Sequence, residues 1–153
     1  MSRALAREDA FKLIFEMEIT KISADDAIAY LYNTVKKTNE MWAQDFVSAS
    51  NRKYIESVVK GVEEKRDEIL SKIEPTLKDW TLSRISKVNL AILELAAYEI
   101  FYNDDIPEKV SASEATQLAK KYAGKEASSF INGVLGTLIQ SASKDNSGEK
   151  NNE

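Results

Sequence analysis

The sequence contains neither cysteine nor histidine. Without cysteine there can be no disulfide, no thiolate metal site and no thiol nucleophile. Without histidine the commonest general base and the commonest metal ligand are missing too. There is no glycine-rich phosphate loop, and the adjacent acidic pairs are typical of helix starts, helix surfaces and loops. We therefore predict a protein that is not an enzyme and that holds neither a metal nor a cofactor.

Long uncharged apolar runs are absent as well. The most apolar stretch, Lys87–Tyr102, is too short and too charged to span a bilayer. The amino terminus lacks the apolar segment of a secretion signal, so we expect a cytoplasmic protein without membrane contact. The net charge of −4 argues against a broad nucleic-acid surface, but it leaves room for a small basic patch.

Apolar residues recur at helical spacing along most of the chain, and no useful strand alternation is present. The sequence therefore predicts an all-α fold. A long third helix, starting at Trp42 or Asn51, should end before Pro75, because the residue before a proline is disfavoured in α geometry. Within this helix, the charged run Glu63–Glu68 indicates a solvated face. At the other end of the chain, the polar residues 141–153 indicate a disordered tail.

The stretch Lys87–Tyr102 would be apolar on nearly every side of a helix, which predicts a central core helix packed by others. Ser86, directly before it, is the predicted N-cap. The polar residues of the stretch do not share one face, so each must meet a partner or reach the rim. Glu94 in particular is expected to need a donor, because an unpaired buried carboxylate is costly.

Two further patterns predict local features of the last helices. Ser111 and Glu114 fit a capping box that opens the helix after the central one. The final helix, predicted at about Ser128–Gln140, contains Gly133 and Gly136. Because glycine is costly inside a helix, these two glycines indicate close approach of the backbone to another helix.

The amino-terminal helix carries a regular row of arginines and aromatics. Arg3, Arg7, Phe11 and Phe15 recur every four residues and form a slanted row around the helix. Guanidinium groups can engage phosphates while aromatic rings stack on unpaired bases, a combination used for single-stranded RNA. The alternative is that both phenylalanines belong to the core and both arginines are ordinary surface charges. The pattern alone leaves both interpretations open.

Several motifs in the second half of the chain occur in the order typical of one family. Arg84–Ile100, Ile106–Tyr122 and Phe130–Leu135 together resemble the bacterial transcription antitermination factor NusB family. Ser2–Ile19 is similar to that family's opening helix. The resemblance extends from about Ser2 to Gln140.

The resemblance implies an all-helical fold of two packed three-helix lobes, with about seven helices. The lobes would be about 1–75 and 76–140 of an RNA-binding domain, 1–140. The family resemblance implies pairing with the small-subunit ribosomal protein NusE and binding of the boxA element in nascent RNA. This pair would assist antitermination of ribosomal RNA synthesis in the transcription elongation complex, without catalysis.

Two alternatives share the same fold. One is a protein-interaction scaffold with little RNA binding of its own. The other is an RNA-targeting module like that of ribosomal RNA cytosine methyltransferases, which would need a fused catalytic domain.

The resemblance also assigns roles to individual positions. The opening arginine cluster is thinner than in many relatives, since Ala4 and Leu5 occupy positions that are often basic. Lys121 has an alternative role as an ordinary charge at a helix end. The implied partner-protein contacts are Val88 and Asn89. The implied RNA contacts are Arg3, Arg7, Phe15, Lys121, Glu126 and Phe130.

Overall fold

The computed structural model describes residues 2–38, 48–79 and 81–151, without the side chains of 35–38 and 143–151. These residues form six α-helices and two short 3-10 turns, and they contain no strand, which confirms the predicted all-α fold. The 3-10 turns are Glu74–Thr76 and Leu82–Arg84. The helices are α1 (Arg3–Thr20), α2 (Ala24–Thr38), α3 (Ala49–Ile73), α4 (Lys87–Tyr102), α5 (Glu108–Ala123) and α6 (Lys125–Asn151). Trp42, the earlier of the two predicted starts of the third helix, lies outside the described residues.

The chain divides into two compact units, Met1–Arg66 and Asp67–Glu153, and the division falls within α3. Helix α3 ends at Ile73, and Pro75 lies in the 3-10 turn that follows. The predicted end of this helix is therefore confirmed. The lobe limits near residue 75 stay a prediction.

The core of the first unit is built from one apolar face of each of its helices. Helical spacing places the large aliphatic side chains of α1 and α3 inward, and Ile14 and Ile55 are almost fully buried. Burying each of these side chains contributes about 1.5–3 kcal/mol. The other buried apolar residues of this core are Ala6, Ala10, Phe11, Leu13, Ala24, Ala27, Ile28, Tyr54, Val58, Val59 and Val62.

Two polar contacts join distant segments of the first unit. Arg66 donates from Nε and Nη2 to the two carboxylate oxygens of Glu18, at 2.9 and 3.1 Å. The Glu63 carboxylate accepts from the backbone N–H of Ala24, at 2.6 Å, and so caps the start of α2. The four acidic residues of the run Glu63–Glu68 are exposed, which confirms the predicted solvated face, and Lys65 and Arg66 are half-buried.

Helix α4 is the centre of the second unit, as predicted. Its residues Leu90 through Ala97 are all buried, including Glu94, and α5 and α6 pack both on α4 and on each other. The hydroxyl of Ser86 accepts from the backbone N–H of Asn89 at 3.1 Å, which confirms the predicted N-cap. The buried residues that α5 and α6 contribute are Ser111, Ala115, Leu118, Ala119, Ile131, Val134, Leu135, Leu138 and Ala142.

The start of α5 differs from the prediction. The helix begins at Glu108 with Pro107 as its N-cap, so Ser111 lies inside the helix and is buried. The capping box of Ser111 and Glu114 is therefore wrong. Proline has a fixed φ that suits a helix start, and Glu108 places a carboxylate in the first turn, where the helix dipole favours it.

Helix α6 also differs from the sequence prediction. Its backbone is helical to Asn151, beyond the predicted end at Gln140, and no proline follows to stop it. The predicted disordered tail, 141–153, falls mostly on positions whose side chains lie outside the described residues. Gly133 and Gly136 are exposed, and a Cβ added at either would meet nothing within 4 Å. The predicted close approach of another helix is therefore wrong for the described part of the chain.

Replacing Gly136 by alanine is expected to raise the free energy of unfolding by about 0.5–1 kcal/mol. Alanine restricts the unfolded chain and favours the helix, and the added methyl group has open space around it. Urea unfolding followed by circular dichroism measures the change. Gly124→Ala is the matched control and should destabilise, because Gly124 has a φ of 99°. A loss of stability in Gly136→Ala would contradict the prediction.

Candidate nucleic-acid interface

Arg3 at the start of α1 is held by three residues of α3. Its Nε donates to Oδ1 of Asn51 and its Nη2 donates to Oγ of Ser50, each at 3.0 Å. The Cζ atom of Arg3 lies 4.5 Å from the centroid of the Tyr54 ring. Arg3 is nevertheless exposed. Since a guanidinium carries five N–H donors, this arrangement fixes its orientation and leaves donors that can meet a phosphate.

Arg7 lies one turn further along α1 and is only 4% exposed. Its Cζ atom is 5.6 Å from the centroid of the same Tyr54 ring. Two arginines therefore converge on one tyrosine, with Arg3 facing solvent and Arg7 covered. A direct phosphate contact by Arg7 requires its guanidinium to be uncovered first, and that contact stays a prediction.

The two phenylalanines of α1 have different surroundings. Phe11 is buried in the core, whereas Phe15 is half-buried. Their rings are stacked with 6.3 Å between centroids and 30° between planes. The core interpretation therefore holds for Phe11. Phe15 has ring surface that is open to a ligand and is backed by a second ring.

Sequence reasoning missed the α3 residues that hold the arginines. Ser50, Asn51 and Tyr54 have the spacing of one helix face, which was the available signal. Helical spacing does not reveal which other helix that face meets.

Arg52, which follows Asn51 in α3, is exposed, and its Cζ lies 4.8 Å from the ring centroid of Tyr32. Burial is the main cause that raises the pKa of Tyr32 to about 12.

In the second unit a cavity of about 460 Å³ opens beside the start of α4. It brings together Asn89, predicted at the partner interface, and two residues predicted to contact RNA, Glu126 and Phe130. The other residues that line it are Arg84, Ile85, Ser86, Ala123 and Ala127. Val88 is half-buried, Lys121 is exposed, and neither belongs to this lining.

A single residue between two helices shapes the wall of this cavity. The N–H of Gly124 donates to the carbonyl of Ala119 in α5, at 3.0 Å, and its carbonyl accepts from the N–H of Ser128 in α6, at 3.1 Å. Gly124 thus ends one helix and starts the next, with a φ of 99° that favours glycine. This sharp turn sets Ala123 and Glu126 around the same opening.

The polar residues that line the cavity differ in hydrogen bonding and in exposure. Oδ1 of Asn89 is buried and accepts no hydrogen bond within the described residues. Glu126 and Arg84 are exposed, and Phe130 is half-buried. The cavity lining therefore combines an amide, a carboxylate, a guanidinium and an aromatic ring.

Over residues 2–38, 48–79 and 81–151, no group of three acidic side chains could hold a metal ion. In the same ranges, none of the helices has the length and apolarity needed to cross a membrane.

Comparisons with known proteins agree with the fold and with the sequence resemblance. The sequence pattern of the NusB family matches residues 4–140. A transcription antitermination protein NusB of Clostridium acetobutylicum is 48% identical over 142 residues, which cover 93% of this chain and 98% of that protein. The structure of T. maritima NusB matches with a TM-score of 0.76 at 26% identity and covers 92% of both chains.

A further solved structure contains NusB and NusE as antitermination factors in complex with double-stranded RNA. It matches with a TM-score of 0.75 at 22% identity, over 92% of this chain and 99% of that one, and so shows the shared fold. The chain therefore belongs to the NusB family.

Proposed function

We propose that this protein is a transcription antitermination factor that pairs with the ribosomal protein NusE and binds boxA-type RNA, supporting ribosomal RNA transcription. The observation that carries the proposal is the family match over residues 4–140, which includes every predicted site residue except Arg3. The relative at 48% identity is named as an antitermination protein, and a protein of the same fold has been solved with NusE and RNA.

In the first unit, the RNA contacts that we propose are Arg3 and Phe15. Arg3 supplies an exposed guanidinium, fixed by Asn51 and Tyr54, that can pair with a phosphate. Phe15 supplies the open part of a ring for base stacking. Arg7 contributes without touching the RNA. Its guanidinium lies against the Tyr54 ring, and its charge adds to the local positive potential.

In the second unit, Glu126 and Phe130 form the proposed RNA edge, and Lys121 adds an exposed cation nearby in sequence. The amino end of α4, with Val88 and Asn89, is the proposed surface for NusE. The net charge of −4 is compatible with this division of roles, since two proteins can share the contacts to one RNA.

The proposed activity is binding, without a catalytic step. We propose that this binding takes place in the transcription elongation complex, and therefore in the bacterial cytoplasm. None of the proposed contacts needs a metal ion or a cofactor.

The second candidate is a scaffold of the same fold with little RNA binding of its own. Two observations favour it: Arg7 is covered, and the protein as a whole is acidic. Fluorescence anisotropy with a labelled boxA-type RNA, with and without NusE, separates the candidates. Binding that is tight only when NusE is present supports the proposed function. If the protein does not bind RNA even when NusE is present, the scaffold is the candidate that remains.

Replacing Arg3 by alanine is expected to weaken binding to all RNA sequences. It should also flatten the slope of log K against log salt concentration by about one unit, since one phosphate contact is lost. The measurement is anisotropy over a salt series with NusE present. Lys12→Ala is the matched control, because Lys12 is exposed on the opposite side of α1. An unchanged slope in Arg3→Ala would remove Arg3 from the interface.

A further inference from the structure

The amino end of α3 lies between two arginines that approach it from opposite sides. Arg3 reaches it from α1 and donates to Ser50 and Asn51, each at 3.0 Å. Arg52 belongs to α3 itself, and its Cζ lies 4.8 Å from the ring centroid of Tyr32, a residue of α2. Arg3 therefore marks the side of α3 that faces α1, and Arg52 marks the side that faces α2.

Both guanidinium groups are held by aromatic rings and are open to solvent. The Cζ of Arg3 lies 4.5 Å from the ring centroid of Tyr54, and Arg52 has the corresponding contact with Tyr32. Both arginines are exposed, whereas Tyr54 is buried and Tyr32 is half-buried. A guanidinium over an aromatic ring keeps a fixed orientation, so less side-chain entropy is lost when it binds a phosphate. Arg52 thus repeats the arrangement that supports Arg3 as a phosphate contact.

One carboxylate lies near Arg52. Glu56 is four residues further along α3, is half-buried, and acts with burial to raise the pKa of Tyr32. A carboxylate accepts from at most two of the five N–H donors of a guanidinium in a two-pronged pair. Arg52 therefore keeps donors on its exposed side that can meet a phosphate.

The surface between the two arginines carries no negative charge within the described residues. Ser48, Ala49 and Ser50 are exposed at the amino end of α3, and the first turn of this helix contains no acidic residue. Lys53, directly after Arg52, is exposed as well. Small side chains leave room for a phosphodiester backbone, and neighbouring cations attract it. An acidic protein segment fits less well, because this surface lacks the apolar centre of a protein interface.

We propose that the RNA strand bound along α1 continues past Arg3, crosses the amino end of α3 and places a further phosphate on Arg52. The proposed contacts Phe15 and Arg3 lie about 18 Å apart along α1, which is the rise of twelve helical positions. A strand that follows this line toward the start of α1 reaches Arg3 last. Arg52 then meets a nucleotide that flanks the boxA-type element. The proposal rests on the proposed function, because it takes RNA as the ligand.

Fluorescence anisotropy with NusE present and boxA-type RNAs of different lengths tests the proposal. One RNA is the element alone, and two others carry a short uridine extension at the 5′ end or at the 3′ end. One of these extensions should strengthen binding roughly tenfold and steepen the slope of log K against log salt concentration by about one unit. Arg52→Ala should remove this gain, so that it binds extended and unextended RNA equally. Arg52→Lys should recover only part of the gain, because lysine lacks the planar set of donors.

Lys60→Ala is the matched control, because it removes one exposed positive charge of α3 that is paired with Asp25 at 3.4 Å. It should keep the gain from the extension, and an equal loss in this variant would show a general charge effect and overturn the Arg52 site. The site is also overturned, while the proposed function stands, if neither extension strengthens binding or if Arg52→Ala keeps the gain. If Arg52→Ala instead weakens binding of NusE in the absence of RNA, this surface belongs to the protein partner. If the unextended RNA does not bind even with NusE, the proposed function itself fails, and the Arg52 site with it.

Discussion

Replacing Arg66 by alanine is expected to lower the free energy of unfolding by about 3 kcal/mol. Arg66 makes a two-pronged contact with Glu18, whose side chain is only 4% exposed, whereas that of Arg66 is 39% exposed. Removing Arg66 takes both of these hydrogen bonds away from a carboxylate that is almost fully buried, and Lys21, at 3.9 Å, is too far away to replace them. For a domain of this size the melting temperature should fall by roughly 6–12 °C.

Replacing the other partner of this ion pair, Glu18, should lower the free energy of unfolding by less. Glu18→Gln leaves Arg66, which is exposed enough to be solvated, so the loss should be about 1 kcal/mol. Lys60→Ala is a matched control, because its ion pair with Asp25, at 3.4 Å, joins two exposed side chains and contributes at most about 0.5 kcal/mol. Urea unfolding of the three variants measures the loss of free energy of unfolding in each and ranks them. Equal losses in Arg66→Ala and Glu18→Gln would show that burial of the carboxylate is not the dominant effect.

Replacing Phe15 by alanine is expected to weaken binding of boxA-type RNA by about 1–3 kcal/mol, or roughly five- to 150-fold. The exposed part of the ring is the surface on which a base can stack, and Phe11 holds it in place. The measurement is anisotropy with NusE present. Because Phe15 also contributes to packing, the variant should lose some thermal stability as well.

A second variant separates stacking from packing. Phe15→Leu keeps most of the apolar volume and removes the aromatic face, so it should retain stability and still lose RNA affinity. Phe15→Tyr keeps the ring and should bind at least as well as the original protein. If Phe15→Leu binds RNA normally, the ring does not stack on a base, and the core interpretation of Phe15 is the right one.

Local signals in the sequence were sufficient for most of the fold. Pro75 ends α3 and Ser86 caps α4, because in each case one side chain or one backbone restriction decides the outcome. The capping box at Ser111 failed where two local signals compete, since Pro107 and Glu108 start the helix earlier. Gly133 was expected to lie against another helix, yet the described residues leave its surroundings open.

The candidate site was less predictable, because its contacts join segments that are distant in the sequence. Arg3 meets Asn51 across 48 positions, the same separation as between Glu18 and Arg66 elsewhere in the first unit. Helical spacing predicts which residues share a face, but it does not predict which face of another helix they meet. The burial of Arg7 was missed for this reason, since the row Arg3–Phe15 looks uniform in the sequence.

The turn at Gly124 limits the sequence changes that the cavity in the second unit can accept during evolution. With one residue between α5 and α6, there is no spare length to absorb an insertion. One added residue inside the first turn of α6 would rotate the rest of the helix by about 100° relative to that turn. The wall that holds Phe130 would then face elsewhere, and the buried row that begins with Ile131 would turn toward solvent. New ligand preferences at this cavity must therefore arise by exchange of side chains, while the length of the chain here stays constant.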